Sequence, residues 1–275
     1  MSGGKRPYFE IANPEICGIL RSMPRGLEVL DVGCGSGVHG AELKREHGHI
    51  VTGVDCAEES IEKAQLRLAE AYIGDVTKPE HYPFARMKRF DVIVFSDILE
   101  HLYDPAGVLE GHLFLLKPGG HVLVSIPNVA IWNVRASMLF GSFQYQDTGT
   151  LDRTHIRFFT KKSIRKLILD ADIQIDGSRI TPGILRPLVP MVKKLYGSAG
   201  KLDGSSDSGS IMESVPYKLY MKWFYPLEKF LCSLAPGLLA FQFVTLGTPV
   251  AVPGVVDSLA NLAGSVHEQG ERVAR

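Results

Sequence analysis

The strongest constraint on this chain is a rhythm of short apolar runs separated by stretches with helical periodicity. The run Phe90-Asp91-Val92-Ile93-Val94-Phe95 is apolar on both faces except at Asp91. A strand of that kind has no face to give to water, so helices must cover both sides of its sheet. Comparable runs lie at 27–32, 50–55, 71–74, 121–126, 173–181 and 239–246. Between them, 38–47 and 58–68 read as helices, and Asp104-Pro105 opens another that ends near Lys117. Thr160 caps a further helix, whose Ile164, Leu167, Ile168 and Ala171 recur at helical spacing. The expected architecture is a doubly wound α/β fold. Its seven-stranded, mainly parallel sheet has right-handed crossovers and an insertion before the last strand.

The order of segments follows. A leader, 1–26, carries an amphipathic helix at 8–22, and the core spans 27–181. An insertion at 182–235 breaks the strand–helix rhythm; 236–250 holds the last strand, and 251–275 is a polar, flexible tail. Within the insertion, 197–210 is rich in glycine and serine and is expected to be mobile. Its neighbours Tyr217, Tyr220, Trp223, Phe224 and Tyr225 are expected to help cover a pocket. No charged residue lies between Lys229 and Asp257, a span long enough to cross a bilayer. Pro236, Pro249 and Pro253 interrupt it, so it reads as a loop, the buried strand 239–246 and an apolar tail, without stable membrane insertion.

Thirty basic residues balance thirty acidic ones, so no net field draws the chain to nucleic acid. The four cysteines form no metal-ligand spacing and read as buried reduced thiols of a cytoplasmic protein. The first residues, MSGGKRPYFE, lack the apolar stretch of a signal peptide. His47 and His49 read as surface residues.

The chemistry concentrates at strand ends. Val29-Leu30-Asp31-Val32 runs into Gly33, Cys34, Gly35, Ser36 and Gly37. Such a turn brings backbone close to a ligand where a Cβ would clash. A dinucleotide fingerprint would place its third glycine at position 38, which is Val38. Asp31 would also repel a pyrophosphate, whereas it suits a ligand carrying an ammonium and a sulfonium. Asp55 ends the second strand, where a carboxylate can accept from a ribose diol. Asp75 follows the third strand, within reach of an adenine amino group. Asp97 follows the fourth. Four acids in register at the carboxyl ends of strands mark the binding edge of such a sheet.

The motifs LDVGCGSG, GVD, GD, FDVIVFSDILEHL and LKPGG, in this order across 27–126, resemble those of class I S-adenosylmethionine-dependent methyltransferases. The resemblance implies a Rossmann-like fold, S-adenosylmethionine as cofactor and a small-molecule acceptor. It places Asp31, Gly33, Cys34, Gly35 and Gly37 at the methionine part, Asp55 and Cys56 at the ribose, and Asp75 with Val76 at the adenine. Ser96 and Asp97 would border the reacting methyl. A second block, from Ile126-Pro127-Asn128-Val129 through Tyr145, Asp147, Asp152 and His155 to Arg157, resembles a bacterial subgroup associated with glycan and natural-product assembly. Gln242-Phe243 fits the same subgroup.

Asn128, Tyr145, Asp147, Asp152 and Arg157 are therefore the expected acceptor-binding residues. The expected acceptor is a sugar, glycoside or other natural-product intermediate, methylated on oxygen or nitrogen. A quinone or lipid intermediate is the alternative enzyme reading, and a non-catalytic cofactor-binding partner is the alternative outside enzymes. A hydroxyl acceptor needs a base near neutral pKa, and His101 or His155, with Asp97, is the candidate. No metal is expected, although the Asp and His residues of 147–155 offer oxygen and nitrogen ligands. A homodimer is compatible with the sequence, which does not specify one.

Overall fold

The computed structural model describes residues 12–185 and 218–250. In chain order it contains α1 (Pro14–Arg21), β1 (Glu28–Val32), α2 (Val38–His47), β2 (Ile50–Asp55), α3 (Glu58–Gln65) and β3 (Glu70–Ile73). Then follow β4 (Phe90–Ser96), α4 (Pro105–His112), β5 (Leu116–Pro127), α5 (Trp132–Leu139), α6 (Lys161–Asp170) and β6 (Ile173–Pro182). A wide helical turn, Tyr220–Phe224, leads into α7 (Tyr225–Leu234), and a single turn, Pro236–Leu239, precedes β7 (Ala240–Pro249).

The seven strands form one sheet in the order β3-β2-β1-β4-β5-β7-β6. β3 through β5 are parallel, and β7 runs antiparallel to both β5 and β6. Alternate residues of the central strands go to opposite faces. Val29, Val92, Val94 and Leu123 pack with Ile16 and Leu20 of α1, Leu43 of α2 and Ile61 of α3. Leu30, Ile93, Phe95, Val122 and Val124 pack with Leu109 of α4 and with Ile164, Leu167 and Ile168 of α6. This division explains why the strands read as continuous apolar runs.

Several expectations are corrected. The helix opened by Asp104-Pro105 ends at His112 rather than near Lys117, and β5 already starts at Leu116. The stretch expected as a loop after Lys229 continues α7 to Leu234. His49 is buried, and its Nδ1 accepts the Leu27 N–H at 3.2 Å. Cys17, Cys34 and Cys232 are buried free thiols, but Cys56 is exposed. The Gly/Ser-rich 197–210, the tail 251–275 and the first residues of the leader lie outside the described residues.

α7 turns its polar residues inward. Glu228 and Cys232 are buried, while Leu227, Phe230, Leu231 and Leu234 are exposed, as are Trp223 and Phe224 just before them. The Glu228 carboxylate accepts from the Leu185 N–H at 2.9 Å and the Tyr220 hydroxyl at 2.6 Å. Lys229 reaches both oxygens of buried Glu15 on α1 at 2.6 Å, and Tyr225 donates to the same carboxylate at 2.8 Å. No helix among the described residues is long and apolar enough to cross a membrane.

Candidate active site

β1 ends in a turn that only glycine can make. Gly33, Gly35 and Gly37 have φ of 74°, 52° and 78°, and a Cβ on Gly33 would stand 2.8 Å from Ile98 Cγ1. The Gly33 and Cys34 N–H groups donate to Val54 O at 2.8 and 3.0 Å, sealing the turn onto β2. Gly53 on β2 permits that approach, since a Cβ there would lie 2.6 Å from Cys34 Sγ.

Strand register brings the acids to one edge. Val32 pairs with both Val54 and Phe95, and Asp55 pairs with Ile73. Asp31, Asp55, Asp75 and Ser96 therefore all stand at or just beyond the carboxyl ends of adjacent strands. Asp31 is buried. The Asp55 carboxylate accepts the Gly35 N–H on Oδ2 and the Ala57 N–H on Oδ1, each at 2.9 Å. Asp75 is exposed and accepts from the Thr77 hydroxyl at 2.7 Å and the Thr77 N–H at 2.9 Å. The Thr77 hydroxyl is the main cause that holds the Asp75 carboxyl below its ordinary range. Val76 is half-buried beside the core, Cys34 lies under the turn, and Cys56 is exposed.

After β4 the chain turns sharply at Asp97, whose φ is 53°. Its Oδ1 accepts from Gln242 Nε2 at 2.7 Å and from the Ser125 hydroxyl at 3.3 Å. Asn13, the cap of α1, donates to Gln242 Oε1 at 3.2 Å and to Ser125 Oγ at 3.4 Å. Three segments distant in sequence, at Asn13, Ser125 and Gln242, thus fix the Asp97 carboxylate. The Ser96 hydroxyl beside it is buried and makes no hydrogen bond among the described residues.

The turn Leu99–His101 carries a second constellation. Glu100 is 1% exposed, and neither carboxyl oxygen has a hydrogen-bond partner among the described residues. Burial, then the neighbouring Asp97 and Asp152 charges, push its pKa well above the ordinary carboxylate range. The backbone N–H groups of Ile156 and Arg157 both donate to Glu100 O at 3.0 Å. That docks 150–158 on the turn and brings His155 Nε2 to 3.8 Å from Glu100 Oε1. The His101 and His155 rings meet edge to face, with centroids 4.8 Å apart. His101 Nδ1 faces Thr154 O at 3.2 Å and His155 Nδ1 faces Thr150 O at 3.1 Å. Burial, then His101, lowers the His155 pKa. A carbonyl only accepts, so each neutral ring carries its proton on Nδ1 and presents a lone pair at Nε2.

The remaining expected residues are dispersed. Asn128 is fully buried, and its amide donates to Ala240 O at 2.9 Å and Gly237 O at 3.3 Å while Oδ1 accepts the Ala130 N–H at 3.1 Å. That amide is committed to backbone. Asp152 is buried and accepts from the Thr154 hydroxyl at 2.6 Å and N–H at 2.8 Å. Tyr145 is half-exposed against Phe143 and Phe158; Asp147 is exposed and pairs with Arg153 at 3.1 Å. Arg157 is exposed and donates to Tyr103 O. Asn13, Ser125 and Glu100 were not expected at the site. Glu100 had one sequence signal, a carboxylate set among Ile98, Leu99 and Leu102 beside a histidine.

A sequence profile of the methyltransferase-domain family matches residues 9–176. The chain belongs to this family.

Two curated relatives are ubiquinone biosynthesis O-methyltransferases. The Vibrio vulnificus enzyme is 32% identical over 187 residues, covering 64% of this chain and 77% of its own. The Psychrobacter cryohalolentis enzyme is 30% identical over 154 residues, 54% of this chain and 59% of its own, so the match spans little more than half of that relative. Among solved structures, Haemonchus contortus phosphoethanolamine N-methyltransferase 2 in complex with S-adenosyl-L-methionine superposes with a TM-score of 0.54. That match has 17% identity and covers 86% of this chain and 52% of the other. The [4+2]-cyclase SpnF does so at 0.53, with 16% identity over 86% of this chain and 82% of its own. Likenesses that distant show the fold alone, and a fold does not fix a reaction.

S-adenosylmethionine is the cofactor of this methyltransferase class, and the crevice suits it. The glycine turn clears backbone from the strand ends, and position 38, where a dinucleotide site needs glycine, is Val38. Each Asp55 oxygen takes one N–H and retains acceptor capacity. The orphaned Ser96 hydroxyl faces no protein partner among the described residues.

Proposed function

We propose that this methyltransferase transfers the methyl group of S-adenosylmethionine to a hydroxyl oxygen of a quinone-type or lipid-linked intermediate. In this reading Asp31 and the glycine turn hold the methionine part, Asp55 the ribose, Asp75 with Val76 the adenine, and Ser96 with Asp97 the reactive end. The cofactor supplies a methyl group already activated on a sulfonium. The protein's own work is alignment, exclusion of water and removal of the hydroxyl proton.

The observation that carries the oxygen acceptor is the His101–His155 pair, whose Nε2 atoms are unspent beside Glu100 on the turn that follows Asp97. An amine attacks as its free base and needs no such group; a hydroxyl does. The relatives named as O-methyltransferases of ubiquinone biosynthesis support the same atom and the same acceptor class. They lend nothing to the sugar or glycoside that the second motif block suggested. The exposed Trp223, Phe224, Leu227, Phe230, Leu231 and Leu234 add support, since such a face lies readily against a membrane surface that holds an apolar substrate.

The test supplies S-adenosylmethionine with a polyprenyl-substituted catechol in vesicles and, separately, with a sugar nucleotide, and reads methyl transfer by mass. Methylation of the catechol alone is expected. Methylation of the sugar alone would restore that class, and cofactor binding with no turnover on either would favour a non-catalytic cofactor-binding partner.

A further inference from the structure

We infer that Asn13, the cap of α1, is a positioning residue for the methyl-transfer site: it sets the direction of the hydrogen bonds that hold the Asp97 carboxylate toward the charged sulfur of the cofactor. That role rests on Asp97 lying at the reactive end, as proposed above.

The direction is fixed by a group that has no choice. The Glu15 N–H can only donate, and it donates to Asn13 Oδ1 at 3.0 Å. The other end of the Asn13 amide is therefore Nδ2, with two hydrogens to give. One goes to Gln242 Oε1 at 3.2 Å and the other to Ser125 Oγ at 3.4 Å. With its oxygen so engaged, the Gln242 amide turns Nε2 to Asp97 Oδ1 at 2.7 Å. Ser125 accepts from Asn13 and spends its single hydrogen on the same Asp97 oxygen at 3.3 Å. Both routes out of Asn13 thus end as donors on one carboxylate oxygen. Asn13, Ser125 and Gln242 are all buried, so each of these polar atoms must find its partner within the protein.

Capping α1 does not require this. The cap uses Oδ1 alone, whereas the two Nδ2 contacts reach 112 and 229 positions along the chain. They end on a residue that itself needs holding. Asp97 is not glycine, yet its φ is 53°, a conformation that persists only where the surroundings impose it. Its N–H donates to Ser125 O at 3.1 Å, so Ser125 grips both its backbone and its side chain. Asn13 also reaches the opposite wall of the crevice. Its N–H donates at 2.9 Å to Nε2 of His39, in the first turn of α2 directly after the glycine turn. Burial lowers the His39 pKa to about 4, so near neutral pH the ring is uncharged and accepts. One residue therefore ties the wall built on Gly33–Gly37 to the wall built on Asp97.

S-adenosylmethionine and its demethylated product share the amino-acid and nucleoside parts and differ in charge at sulfur. A carboxylate aimed at that atom favours the sulfonium over the neutral thioether. The ratio of the two affinities consequently reads the aim of Asp97, whereas a general loosening of the crevice lowers both affinities together.

The full chain and its variants are titrated with each ligand by calorimetry, and thermal transitions confirm folding. Asn13→Ser keeps an oxygen to cap α1 but has no Nδ2. Asn13→Asp also caps, and reverses the polarity by drawing Gln242 Nε2 and the Ser125 hydroxyl to itself. The preference for S-adenosylmethionine over the product is expected to fall about threefold in Asn13→Ser and about tenfold in Asn13→Asp, the scale of coupling within one hydrogen-bond network. Asp97→Asn gives the full extent of the change. Should Asn13→Asp fail to fold, Ser125→Ala removes one of the two donors and is expected to match Asn13→Ser. An unchanged ratio in folded Asn13→Ser, even with both affinities reduced, would overturn the inference; a change in Asp97→Asn beside it would leave the placement of Asp97 standing. A wild-type chain that binds neither ligand, or an Asp97→Asn ratio equal to wild type, would overturn that placement and the inference with it.

Discussion

Gln242 on β7 donates to Asp97 Oδ1 at 2.7 Å, joining the last strand to the turn that ends β4. Asn13 holds the other end of the Gln242 amide, so the start of α1, β5, β7 and the Asp97 turn share one network. Gln242→Leu removes both contacts and leaves polar groups in a site it shares with buried Asn13 and Ser125. It should destabilise the fold by about 1–3 kcal/mol, the cost of an unmet buried partner. Urea unfolding checks this; a change below a few tenths would show that the network holds nothing.

Asp55 joins the glycine turn to β2 and is the proposed ribose acceptor. Asp55→Ala should weaken S-adenosylmethionine binding by roughly 1.5–3 kcal/mol, with acceptor affinity nearly unchanged. Calorimetry on the folded variant measures both. Unaltered cofactor affinity would mean that the ribose lies elsewhere.

Lys229 reaches buried Glu15 across the α1–α7 contact, with about a third of its own side chain exposed. Lys229→Met should leave the carboxylate with Tyr225 alone and destabilise the fold by about 2 kcal/mol, less than a fully buried pair would lose. Early proteolytic cleavage next to α7 should accompany it. A variant as stable and as resistant as wild type would separate α7 from this anchor.

His112 is fully buried between the Tyr82 hydroxyl at 3.0 Å on Nε2 and Val108 O at 2.8 Å on Nδ1, and burial lowers its pKa to about 4. Above pH 6.5 it is neutral in both folded and unfolded chains and contributes no pH dependence. Between pH 6.5 and 4 the unfolded chain takes up the proton first, so stability falls with acidity by about 3 kcal/mol in total, then levels off. His112→Gln should remove that part of the slope. Parallel wild-type and variant stability curves from pH 7 to 4 would refute it.

The legible parts of the sequence were those where one face decides the pattern. β2, β4 and α2 occur at the residues their apolar runs and glycine boundaries indicate. α7 was obscured because its periodicity is inverted, with Glu228 and Cys232 inside and leucines and phenylalanines outside. β5 starts early because Leu116 pairs with Phe90 before the register shifts across the Lys117–Gly120 turn, a feature with no apolar run to announce it. The acids at the strand ends could be read from position in the βα rhythm alone. The Glu100–His155 approach could not, since it depends on two backbone N–H groups of 150–158 docking on a single carbonyl.

The most direct measurement is calorimetric titration of the purified chain with S-adenosylmethionine, its demethylated product and NAD. Val38 in place of a third glycine, with Asp31 buried just before the turn, leads to binding of the first two and none of NAD. Tight binding of NAD and none of S-adenosylmethionine would contradict the assignment of this crevice.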